Sequence, residues 1–118
     1  MSSSPRKIEV RQATSQDLEG IQSLSRVVYA SSMSAYSTDV LRGQLHHFPE
    51  GQFVCLLGGK LVGYCASIRV EEKMAMRPHT WREITGGGFG STHRSDGDWL
   101  YGMDVFVDPE CRGVKIGE

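Results

Sequence analysis

A chain of 118 residues has room for one hydrophobic core and not two. Its 39% hydrophobic and 23% charged residues describe an ordinary globular protein, which excludes a disordered tail and a fibrous repeat. Thirteen basic residues against fourteen acidic ones leave a net charge of −1, so no global field exists to hold nucleic acid or an anionic membrane, and any anion site must be local.

Residues 1–6 form a polar lead, and the domain is expected over 7–118. The lead lacks the apolar core of a signal peptide, and no apolar run reaches membrane length. Residues 7–12 alternate apolar and polar as a half-buried strand does. Thr14 then stands three residues before Asp17, just ahead of Leu18, Ile21, Leu24 and Val28. That spacing predicts a capping box opening an amphipathic helix that runs to Tyr29 or Ala30, with Gly20 costing about 1 kcal/mol relative to alanine. After a serine-rich, aperiodic stretch, Thr38 with Asp39 is expected to cap a second short helix carrying Val40, Leu41 and Leu45. Pro49, Glu50 and Gly51 stop it in a turn.

An antiparallel hairpin follows: residues 52–57, the tight turn Gly58-Gly59, and residues 60–70. Val62, Tyr64, Ala66, Ile68 and Val70 fall on one face of its second strand. Between 71 and 98 the pattern dissolves into charges, Pro78 and the glycines 86, 87, 88 and 90, and connections of this length are often functional or mobile. Order returns at 99–107, where Trp99, Tyr101, Met103, Val105 and Val107 are expected to share one face of a long strand that Asp108-Pro109 ends.

Behind that strand, residues 109–118 hold two glycines, Gly113 and Gly117, and two cations, Arg112 and Lys115, leading toward an expected helix. Backbone N–H groups in a tight turn and at a helix start converge on one anion, so this loop is suited to a phosphate group.

The order strand, helix, helix, hairpin and long strand, followed by Val107-Asp108-Pro109, Arg112-Gly113 and Ile116-Gly117, resembles the GCN5-related N-acetyltransferase (GNAT) family over essentially the whole chain. The family's loop reads Arg or Gln, two residues, Gly, one residue, then Gly or Ala. Arg112 and Gly117 match it, while Lys115 stands at the inner glycine. The wording of residues 48–54, of His79-Thr80-Trp81 and of Ile84-Thr85 looks like acetyltransferase domains fused ahead of a carbon–nitrogen hydrolase, though no hydrolase portion is present in these residues.

The resemblance implies an α/β (α+β) acyl-CoA N-acyltransferase fold: a mixed, mainly antiparallel sheet with flanking helices, here truncated after the pyrophosphate loop, with the C-terminal half absent. It also implies direct transfer of an acetyl group from acetyl-CoA to a primary amine on a small molecule or protein, without an acyl-enzyme and without a metal. Val105, Phe106 and Val107 on the strand, with Arg112, Gly113, Val114, Lys115, Ile116 and Gly117 in the loop, would bind the coenzyme. Tyr101 lies where, counted back from Arg112, histone-acetylating members carry a glutamate base. Asp104 is the other catalytic candidate, an acid in the middle of an apolar strand, and a carboxylate bonded across the sheet or facing solvent is its plainer reading. The competing function is a non-catalytic remnant that binds coenzyme A or a partner, and strand 99–107 is the expected route to self-association.

The remaining features carry blander expectations. His46-His47 are neighbours at a helix end, where imidazolium meets the helix dipole, and adjacent residues do not share a helical face for a metal. Glycines 86–90 suggest a flexible substrate-side loop and not a phosphate cradle, since no Gly-Lys-Ser/Thr follows. His93, Arg94, Asp96 and Asp98 are candidates to meet an amine substrate, with a solvated loop as the plainer reading, and Trp81 and Trp99 read as core or interface anchors. Cys55, Cys65 and Cys111 are odd in number and lack metal or redox spacing, so free thiols and a cytoplasmic location are expected.

Overall fold

A computed structural model describes residues 7–29 and 36–114, with the backbone alone for 112–114. The chain builds a four-stranded antiparallel sheet in the order β1-β2-β3-β4: β1 Ile8–Gln12, β2 Phe53–Leu57, β3 Lys60–Val70 and β4 Trp99–Val107.

The expected capping box is present: the Thr14 N–H and hydroxyl both donate to Asp17 Oδ2, at 2.8 and 3.2 Å. It opens a 3-10 turn, Ser15–Asp17, that runs into helix α1, Leu18–Val28. Leu18, Ile21 and Leu24 recur at helical spacing and are buried against the sheet. Helix α2, Thr38–His47, is capped one residue earlier than the sequence suggests. Ser37 has the extended backbone an N-cap needs, and its Oγ accepts from Val40 N at 3.2 Å, which places Thr38 inside the helix. Residues Pro49–Gly51 close the helix with a 3-10 turn.

Gly58 and Gly59 both take positive φ, 60° and 86°, the pair a two-residue hairpin turn demands. Along β3, Tyr64, Ala66, Ile68 and Val70 pack in the helix-side core as the alternation predicts, while Val62 is the extra residue of a bulge opposite Cys55 and Leu56 and is buried with Cys55 and Leu57 instead. The expectation that Trp99, Tyr101, Met103, Val105 and Val107 share one face of β4 is not met. Ala66 pairs with Asp104 while the next residue, Ser67, pairs with Gly102, so Met103 is an extra residue in a bulge. The bulge flips the alternation: Tyr101 and Met103 pack on the helix-side core, beyond it Phe106 does so, and Val105 turns outward at 57% exposure.

The long connection is folded and not an open loop. It contains α3, Glu72–Met76, and α4, Trp81–Thr85, the latter opened by a second capping box between Thr80 and Glu83. Gln44 from α2 donates to the Gly88 carbonyl at 2.8 Å, and Gly90 N donates to Thr85 O at 2.8 Å. The glycine-rich stretch is therefore pinned to α2, and its positive-φ glycines serve tight backbone turns.

Candidate functional site

The bulge in β4 organises the helix-side surface of the strand. Trp81, on α4, donates its indole Nε1–H to the Met103 carbonyl at 2.8 Å. A bulged residue leaves the regular ladder, and the indole takes up the acceptor that results. Trp81 is 39% exposed, so it is a hydrogen-bonded clamp and not a core anchor, and Trp99 is exposed as well.

One residue beyond the bulge, Asp104 Oδ2 accepts from two phenols, Tyr29 and Tyr36, each at 2.8 Å. Tyr36 stacks on Phe106 with ring centroids 5.9 Å apart, and Tyr29 meets Phe106 edge-on at 5.8 Å. Burial, then the bond to Asp104, pushes the Tyr36 phenol well above the ordinary tyrosine range, and burial does the same to Tyr64. Both phenols are therefore donors at neutral pH; the Tyr64 hydroxyl donates a hydrogen bond to Gln44 Oε1 at 2.6 Å. Asp104 Oδ2 thus bonds toward α1 and Tyr36 and not across the sheet.

Tyr101 lies on the same side, before the bulge. Its ring meets the His79 imidazole edge-on, centroids 5.8 Å apart. His79 Nδ1 is 2.8 Å from the Arg77 carbonyl oxygen. His93 is spent otherwise: its Nδ1 accepts from Arg69 N at 3.0 Å and its ring stacks on Phe48. Burial, and then the nearby Arg69 charge, hold its pKa below the usual imidazole value. Arg94 pairs with Glu71 at 2.6 Å and with Asp96 at 3.1 Å. His46 and His47 meet ring to ring, and no cluster of three metal-ligating side chains occurs among the described residues.

At the end of β4, buried Asp108 starts the next turn. Its N–H donates to Val62 O at 2.8 Å and its Oδ1 accepts from Glu110 N at 2.9 Å, and Cys111 N returns to Asp108 O. The 3-10 turn Pro109–Val114 follows. Of the expected coenzyme residues, Phe106 is buried in the core, leaving its backbone for any ligand, and Val105 and Val107 line a shallow apolar trough of about 280 Å³ on the outer sheet face with Val10, Phe53 and Cys65. The backbone of Arg112, Gly113 and Val114 lies in the turn, and Lys115, Ile116 and Gly117 lie outside the described residues.

Residues 18–118 match the profile of the Acetyltransferase (GNAT) family. The chain belongs to that family. The probable hydrolase YhcX of Bacillus subtilis (strain 168) is 33% identical over 112 residues, which cover 95% of this chain and 22% of YhcX. The uncharacterized N-acetyltransferase YkwB of the same organism is 29% identical over 114 residues, 94% of this chain and 50% of YkwB. The loading GNATL domain of CurA from Lyngbya majuscula superposes with a TM-score of 0.77 at 20% identity, over 94% of this chain and 53% of that one. The GphF GNAT-like decarboxylase, solved in complex with isobutyryl-CoA, gives 0.79 at 24% identity, over 92% and 53%. The chain thus spans half or less of the curated relatives, and the sheet described here is a GNAT sheet in its opening strands.

Two features escaped the sequence. The phenols on Asp104 come from residues 75 and 68 positions away, a separation that leaves no local signal. His79 and Trp81 stand in a stretch without periodicity, where the family-like wording gives them no structural role and the Thr80–Glu83 capping spacing is the one local structural signal.

Proposed function

We propose that this GNAT domain moves an acetyl group from acetyl-CoA to a primary amine on a small molecule or a protein. The observation that carries the reading is β4 itself: a strand broken by a bulge at Met103 that leads directly into the turn Pro109–Val114, in a chain of this family. A bulge frees backbone groups from the ladder, and such groups are suited to polarising a thioester carbonyl. In this reading the backbone of Val105, Phe106 and Val107 runs beside the coenzyme arm, and Arg112, Gly113, Val114, Lys115, Ile116 and Gly117 hold its pyrophosphate. The amine attacks the thioester directly, so the work of the protein is positioning, carbonyl polarisation and proton removal. Tyr101 and Asp104 are the strand side chains that flank that path. The setting is the cytoplasm, a reading supported by three cysteines that are all free; no helix among the described residues is long and apolar enough to cross a membrane.

The test is thiol release from acetyl-CoA across a panel of amines by the full-length protein, with calorimetry of coenzyme binding. Arg112→Glu is expected to weaken acetyl-CoA at least about tenfold, the scale of one charge-assisted phosphate contact. Saturable coenzyme binding without an acetylated product would instead favour a module that binds coenzyme A and transfers nothing.

A further inference from the structure

We propose that His79 is the general base that takes the proton from the acceptor amine. The proposal deepens the acyl-transfer reading and rests on it.

The hydrogen bond at Nδ1 decides the tautomer. The partner, 2.8 Å away, is the Arg77 carbonyl oxygen, which can only accept. Nδ1 must therefore carry a proton, and in the neutral ring the lone pair belongs to Nε2. An imidazole fixed in this way by a backbone carbonyl is oriented for proton abstraction at a single atom.

Position points the same way. His79 immediately precedes the Thr80–Glu83 capping box, in which Thr80 Oγ1 donates to Glu83 Oε1 at 2.9 Å. Two residues on, Trp81 is tied to the Met103 carbonyl in the β4 bulge. The segment is thus held against the strand just beyond the imidazole, and the half-buried ring meets Tyr101 edge-on. Two other polar side chains near the bulge are already bonded: Asp104 Oδ2 receives two phenols, and Tyr64 donates to Gln44. His93 spends its Nδ1 lone pair on Arg69 N.

The step balances without a further reagent. The acceptor ammonium gives one proton to His79 Nε2 and becomes a free amine. Its nitrogen attacks the thioester carbonyl carbon, forming the C–N bond. Collapse breaks the C–S bond, and sulfur leaves with the electron pair. The second nitrogen-bound proton goes to sulfur, giving the amide and the coenzyme A thiol, and the imidazolium returns its proton to solvent.

The experiment uses the full-length protein and the amine panel. His79→Ala is expected to lower kcat by about 10²–10³-fold, the usual contribution of a positioned base, with unchanged acetyl-CoA affinity and unfolding midpoint, and added imidazole should restore part of the rate. His79→Asn covers the case in which alanine fails to fold: its amide still donates to the Arg77 carbonyl but offers no ring nitrogen as base, so it should fold and lose activity equally. Wild-type turnover that survives either variant, or a loss that imidazole leaves unchanged in a folded variant, overturns the role of His79 while the acyl-transfer reading stands. Absence of turnover in the wild type with every amine removes the reaction and the base with it.

Discussion

Asp17 joins three pieces of local structure through one carboxylate. Arg11 on β1 reaches it with two N–H groups, at 2.8 and 2.9 Å, while Thr14 N donates to it at 2.8 Å. The Arg11 bonds, and then Thr14, hold the carboxyl below the usual carboxylate range against the opposing effect of burial. A lowered pKa in the folded state means that the contribution is fully present at neutral pH and is lost as pH falls through that lowered value. Asp17→Ala should therefore cost about 1.5–3 kcal/mol at neutral pH, the range for hydrogen bonds to a charged group. The lower end is expected, because the Arg11 side chain is 38% exposed and its attraction is screened. Urea midpoints of the two proteins should converge as the pH drops below the ordinary carboxylate range; a gap that persists there would assign the loss to packing. The Thr14–Asp17 pair was legible because both partners lie within one turn. The carboxylate of Asp104 was not, since its partners are set by how α1 and the approach to α2 cross the sheet.

The elements divide along the same line. β1, α1, the hairpin and β4 each show enough residues for periodicity to identify them, and each was found close to its expected position. The bulge was invisible because Met103 is apolar and suits an inward position in either register, so nothing in the composition of 99–107 marks the residue where alternation slips. Helices α3 and α4 span five residues each, too short to display an apolar stripe. Their stability comes from caps and tertiary bonds, and Gly86 shows how. It ends α4 with φ 65°, and a Cβ there would stand 2.0 Å from Ser91 Oγ. Gly86→Ala should cost about 1–3 kcal/mol, from the left-handed backbone and the displacement of Ser91. Because α4 carries Trp81, thermal unfolding should be accompanied by faster amide hydrogen exchange across residues 81–90. An alanine variant with unchanged exchange and midpoint would mean that the glycine cap does not hold the segment.

At the scale of the whole molecule the sheet is covered unequally. α1, α2 and the folded connection lie over one face and bury Ile21, Leu41, Ile68 and Ile84 completely. On the other face Ile8, Val10, Phe53 and Val105 are 39–64% exposed, and β4 forms an edge of the sheet among the described residues. An apolar face beside an open strand edge favours association, because pairing satisfies edge N–H and C=O groups while covering apolar surface. Solved structures with this fold extend to nearly twice the length matched here. Residues 1–118 expressed alone are therefore expected to self-associate through strand 99–107 and the trough beside it. Sedimentation across a range of concentrations should show growing mass. Val105→Lys, which places a charge on the outward face without touching the helix-side core, should shift the distribution toward monomer and leave the helical circular dichroism unchanged. A monomer at all concentrations would show that this edge and face do not drive association. A lysine variant that unfolds without dispersing would show that Val105 supports the fold of its own chain. The same variant in the full-length protein separates two roles for the trough, since it should weaken acetyl-CoA binding if the coenzyme arm runs beside Val105 and leave affinity unchanged if the trough serves packing alone.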